Sequence, residues 1–205
     1  LIYSLCNAYI RCAVDAGSVR RFARSQVTTR RDGSRRARRR SEPKRVSHRA
    51  AYPVRMTIIG VDDTDSRTRG MCTTYLATRL AESLAVEGAS VRRKLLIRLN
   101  PAVEHKTRGN AALAIHTDAD PDDALALAAA ELEPLAAVDD PRTSPGVVVA
   151  PDDPDDVPAA VRAFSRRAVR AFLAPEPAVD LAARAGSRHR GWSGGRGRIG
   201  ALAAV

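Results

Sequence analysis

The chain has 205 residues, with 34 Lys plus Arg against 23 Asp plus Glu and a formal charge of +11, a balance that at first sight points to nucleic acid. All of that excess lies in residues 1 to 55, which hold 15 basic and 3 acidic side chains, whereas residues 56 to 205 hold 19 and 20 and carry a net charge of −1. No apolar run approaches the ~18 residues that a membrane helix requires. The three cysteines, Cys6, Cys12 and Cys72, have no CxxC spacing, so neither a disulfide framework nor a zinc site is expected, and a reducing cytoplasm fits best.

Leu1 to Val14 is mildly apolar but has Arg11 inside it and no charged leader, so it does not read as a signal peptide. Residues 20 to 55 show neither a helical nor a strand period and have few large apolar side chains. The expectation for residues 1 to 55 is a disordered Arg-rich arm able to bind RNA phosphates, or upstream sequence that precedes a functional start at Met56.

From Met56 the pattern becomes regular. MTIIGV predicts a buried strand and DDTDSRTRG a turn. TTYLATRLAESLAVEG, with Leu76, Leu80 and Leu84 four apart, predicts a helix closed by Gly88. SVRRKLLIRLN and GNAALAIHT predict two strands joined by a polar connection, DADPDDALALAAAELEPLA a helix opened by Asp and Pro, and PGVVVAP a fourth strand. VPAAVRAFSRRAVRAFL and EPAVDLAARAG predict two further helices before the glycine-rich GWSGGRGRIGALAAV. The order is that of an α+β, ferredoxin-like split βαβ sandwich (βαββαβ) with additional C-terminal helices, in which helices cover one face of an antiparallel sheet.

Asp62, Asp63 and Asp65 follow directly on the first strand. Three carboxylates so close repel one another, and a hard cation such as Mg²⁺ relieves this while bridging to phosphates; a solvated acidic turn is the alternative. Gly70 permits a tight turn, and Thr73 or Thr74 can cap the following helix, whose N-terminus favours phosphate. Cys72 reads as a small buried residue. The connection after the second strand carries Asn100, His105, Lys106, Arg108 and Asn110, able to meet phosphates or simply to form a solvated loop. Neither His105 nor His116 has metal-ligand spacing. The terminal GGRGRIGALAA sets Gly194, Gly195, Gly197 and Gly200 around two arginines, a weak phosphate-loop signal.

Taken together and in order, IIGVDDTDSRTRGMCTTYLA, RLNPAVEHKTRGNAALAI, SPGVVV and GRGRIGALAA resemble the N-terminal part of the archaeal tRNA-isoleucine 2-agmatinylcytidine synthetases, the TiaS family. The resemblance covers about residues 56 to 205 and implies a kinase-like catalytic domain there. It implies an enzyme that uses ATP to phosphorylate the C2 oxygen of the wobble cytidine in the CAU anticodon of tRNA-isoleucine and then replaces that phosphate with agmatine, releasing AMP. It assigns Asp62, Asp63 and Asp65 to the catalytic and Mg²⁺-binding motif. Lys106, Arg108 and Asn110, with Gly195, Arg196 and Gly197, it assigns to nucleotide or RNA-phosphate contact. Full family members continue into an OB-type domain and a zinc ribbon; the expectation is a truncated chain, without zinc and inactive alone. Two other readings stand beside it: a non-catalytic RNA-binding remnant acting through its basic arm, and a DxDx[TV]-type phosphatase, against which Arg67 occupies the position of Thr or Val.

Overall fold

The computed structural model describes residues 55–107 and 109–205; the basic arm (apart from Arg55), with Cys6 and Cys12, and Arg108 lie outside the described residues. The apolar run after Met56 forms β1 (Thr57–Asp62), and the Leu76, Leu80, Leu84 repeat forms α1 (Thr73–Val86). Then come β2 (Val91–Arg98), β3 (Ala111–Thr117), α2 (Pro121–Leu135) and β4 (Gly146–Ala150). Asp120 caps α2 by accepting from the Asp122 and Asp123 amides, with Pro121 in the first turn, as the sequence predicts. Gly88, at φ 89°, closes α1.

These four strands pair antiparallel in the order β2-β3-β1-β4, the split βαβ arrangement. The sequence does not announce a fifth: β5 (Arg188–Gly191) pairs with the outer edge of β4. Its four residues, RHRG, offer no apolar alternation to detect.

The two helices of the split βαβ unit share one face of the sheet, as the sequence predicts. α1 and α2 pack on the face that presents Ile59, Val61, Leu113, Ile115, Val147 and Val149. The opposite face, presenting Ile58, Ala112, Ala114 and Val148, is covered directly by the C-terminal helix α5 (Arg198–Ala204), over which α3 (Ala159–Ala168) and α4 (Pro175–Arg184) pack. Successive strand residues point to opposite sides, so both sides of β1, β3 and β4 are buried, which explains why TIIGV and GVVVA read as continuous apolar runs. α3 stops at Ala168, five residues before the end of the predicted helix.

Candidate functional site

The register brings four loops to one end of the sheet. Asp62 at the end of β1 faces Gly146 at the start of β4, Gly146 faces Gly191 at the end of β5, and Arg98 of β2 faces Ala111 of β3. The segments 63–72, 99–110, 136–145 and 192–197 therefore all leave or enter the sheet together.

The acidic loop is the best-anchored of them. Asp63 has φ 57°, a left-handed conformation that Asp tolerates better than most residues but which still costs energy. This bend turns its carboxylate to accept from the Ser144 amide at 3.1 Å and from the Arg196 guanidinium at 3.0 Å. Arg196 also donates to the Arg142 carbonyl, and its own amide donates to the Ser144 hydroxyl at 2.9 Å. Asp65 accepts from the Thr107 hydroxyl at 2.5 Å, while its carbonyl accepts from Thr143. Ser66 closes the turn by accepting from the Thr68 and Arg69 amides and donating to Asp140. Arg67 reaches across to the carbonyls of Lys106 and Thr107, tying the acidic loop to the β2–β3 loop.

Asp62 takes a different direction. A Cβ on Gly200 would lie 1.8 Å from its Oδ2, so only glycine admits the carboxylate against α5. Burial pushes the Asp62 carboxyl well above the usual carboxylate range, and the neighbouring charges of Asp63 and Asp65 add to this. Burial also raises Asp63, with Arg196 opposing.

Each of the three carboxylates turns to its own partners, and among the described residues no group of three or more ligating side chains is placed to hold a metal ion. The donor chemistry fits Mg²⁺: half-buried, mutually repelling carboxylates gain from a cation, and Mg²⁺ ordinarily takes one or two carboxylates plus phosphate oxygens.

The other predicted residues fall as follows. Lys106 is half-buried, and its ammonium donates to the Pro101 carbonyl. Asn110 donates to the Asn100 carbonyl at 2.8 Å, closing the base of the same loop. Gly195 and Gly197 are packing positions. A Cβ on Gly197 would lie 2.6 Å from the Gly146 amide and 2.7 Å from the Asp62 carbonyl, so the glycine lets this segment lie against β1 and β4 with Arg196 over Asp63. Cys72, half-buried, occupies the N-cap position of α1 without a side-chain cap bond, in place of Thr73 or Thr74; Thr73 instead accepts from the buried Thr64 hydroxyl. Nothing in the sequence marks Ser144, Thr107, Thr143 or Arg67 individually as a site residue; only SPGVVV and KTRGN hint that the segments of the first two matter.

A family model described as the TiaS TCKD domain matches residues 58–193. The chain is 58% identical over 151 residues to the tRNA(Ile2) 2-agmatinylcytidine synthetase TiaS of Haloquadratum walsbyi, covering 73% of this chain and 33% of that protein. It is 39% identical over 150 residues to the protein of the same name from Pyrococcus horikoshii, covering 72% and 34%. Among solved structures, the crystal structure of the TiaS-tRNA(Ile2)-ATP complex superposes with a TM-score of 0.68 at 35% identity, covering 73% of this chain and 36% of that one. The TiaS-tRNA(Ile2)-AMPCPP-agmatine complex gives 0.66 at 32% identity, covering 73% and 36%. The chain spans about a third of the length of the curated relatives it matches.

Proposed function

The chain belongs to the TiaS family, in its TCKD domain, and from that premise we propose that it forms the ATP-using phosphoryl-transfer site of a tRNA-isoleucine 2-agmatinylcytidine synthetase. The substrates are ATP, agmatine and a tRNA-isoleucine with a CAU anticodon, the pools of the cytoplasm. Cytosine O2 is a poor leaving group until it is phosphorylated; agmatine then displaces the phosphate and forms the carbon–nitrogen bond. A reaction of this kind asks the protein for positioning and charge neutralisation more than for a nucleophile.

The observation that carries the reading is the convergence of Asp62 and Asp63 with Arg196, from a segment 133 residues away, at the sheet end where the Lys106 loop also arrives. Arg196 and Lys106 meet nucleotide phosphate charge. Ser144 and Arg196 hold the Asp63 carboxylate, and Thr107 holds that of Asp65, so both are preorganised before substrate arrives. Asn110 keeps the Lys106 loop closed at its base, and Gly195 and Gly197 admit Arg196. A Mg²⁺ ion carried in on the nucleotide would neutralise phosphate charge, with Asp62 and Asp63 as its protein ligands. The phosphatase reading loses support because Arg67 stands where that motif needs Thr or Val, and its guanidinium is engaged by the Lys106 and Thr107 carbonyls.

Calorimetric titration of the whole chain with ATP, with and without Mg²⁺, tests this. Binding that requires Mg²⁺ and is lost in Asp63→Asn is expected; no Mg²⁺-dependent binding by the unaltered chain overturns it.

A further inference from the structure

Next to the acidic site lies a surface that its chemistry leaves unused. Phe172, in the α3–α4 connection, is 59% exposed, an unusual state for a large aromatic side chain with apolar core nearby. It is held upright by His105 of the β2–β3 loop, the two rings meeting edge to face with centroids 6.3 Å apart and planes at 74°. The loop is in turn pinned to the end of α3 by the Asn100 amide on the Ala168 carbonyl at 3.2 Å. Within six residues of Phe172 along the chain come Arg166, Arg167 and Arg170, all exposed. The only acid of the same loop is Glu104, which is also exposed.

Arginines in the last turn of a helix complement its dipole, which accounts for Arg166 and Arg167 but not for Arg170 beyond the helix or for an aromatic ring displayed to water. An exposed ring edged by guanidinium groups is the arrangement that binds unpaired nucleic acid, bases stacking on the ring and phosphates meeting the cations. The position is informative too. His105 is two residues from Thr107, which holds Asp65, so the platform begins within about 7 Å of chain from the acidic site.

We propose that Phe172, supported by His105 and flanked by Arg166, Arg167 and Arg170, is a stacking platform for an unpaired base of RNA, beside the one at which the site acts. The identity of the strand as RNA rests on the function proposed above; the platform itself rests on the exposed ring and its cations. Duplex RNA, whose bases are already stacked, has no use for the ring and feels only the charges.

The test uses the full chain, fluorescence anisotropy and two labelled probes: an RNA hairpin with an unpaired loop and a fully paired RNA duplex of the same length. Every variant keeps residues 1 to 55, so the change each substitution makes in the ratio of hairpin to duplex affinity isolates the platform. Phe172→Ala should weaken hairpin binding about tenfold, within the range for losing one stacked base, and leave duplex binding unchanged. Phe172→Trp should keep the preference, and Phe172→Leu, which retains apolar bulk without the ring, should lose it. Arg167→Ala and Arg170→Ala should each lower the salt slope by about one.

Equal weakening of both probes, or hairpin affinity indifferent to Phe172, overturns the proposal, and so does failure of the unaltered chain to bind either RNA, which would leave the patch to a protein partner. ATP titration of Phe172→Ala separates the two readings. Intact nucleotide binding with no role for Phe172 sinks only the platform, whereas a Phe172-dependent hairpin preference in a chain that binds no ATP sinks only the phosphoryl-transfer site.

Discussion

The two ends of the sheet use the same residue type in opposite ways. At the end away from the site, Asp118, Asp120 and Asp122 each serve a local structural purpose. Asp118 accepts from the Ser90 amide, Asp120 caps α2, and Asp122 forms a two-pronged pair with Arg188. That hydrogen bond holds the Asp122 carboxyl below the usual range. At the site end, Asp62 and Asp63 sit half-buried beside one another and are pushed the other way. The carboxylates at the far end are individually paired, whereas Asp62 and Asp63 at the site are crowded into a place where ionisation is disfavoured, the signature of groups awaiting a charged partner.

The sharpest break of that contrast is at Asp63. Asp63→Asn is expected to reduce Mg²⁺-dependent ATP affinity by about 10- to 100-fold, the range for losing a charged hydrogen-bonding group, whereas Asp122→Asn should leave it unaltered; paired calorimetric titrations measure both.

Gly200→Ala should come next, because its Cβ would collide with the Asp62 carboxylate. A loss of about 1–3 kcal/mol is expected from such overpacking, read as a lowered denaturation midpoint. Double substitution with Asp62→Ala should recover part of it if that collision is the cause.

The pH dependence should differ in sign between the ends. Asp62 has a folded pKa above its unfolded value of about 4, so the folded chain binds more protons and the metal-free protein loses stability as pH rises through that window. Asp62→Asn should therefore raise Tm near neutral pH, by about 2–4 °C for each kcal/mol relieved, and flatten the profile. Asp122 has a folded pKa below its unfolded value, so its contribution is present above about pH 4 and fades as pH falls.

Smallest of all is Asp122→Asn at neutral pH. The pair with Arg188 is exposed, screening and side-chain entropy offset most of its attraction, and a thermal scan should hardly register the change except at low salt.

How far these features can be read in advance depends on whether they are local. The Leu76, Leu80, Leu84 spacing, the Asp120–Pro121 opening and the Gly88 stop are encoded within a few residues, and α1 and α2 follow them. Periodicity says that a helix buries a stripe but not against which side of a sheet, so the placement of α3 to α5 on the opposite face is out of its reach. In the site, Asp62, Asp63 and Asp65 stand out because like charges are adjacent. Ser144 and Thr107 are single hydroxyls in loops, and the pairing of Arg196 with Asp63 across 133 residues leaves no mark in composition or spacing. The resemblance reaches Arg196 only by its GRG neighbourhood.

α5 is seven residues long, and Gly200, Ala201, Leu202, Ala203 and Ala204 within it are buried. It lies on β1 so closely that a Cβ on Gly60 would be 2.0 Å from the Ala201 carbonyl. During synthesis, which proceeds from the N-terminus, the strands that α5 covers leave the ribosome long before it does. One side of the sheet therefore stays bare until residues 198–204 have cleared the exit tunnel, and Arg196, just ahead of them, reaches Asp63 only then. Docking of this short segment completes the hydrophobic layer and neutralises the acidic loop in a single late event, so a nascent chain stalled before Arg196 would display both an uncovered apolar sheet and an unpaired Asp63.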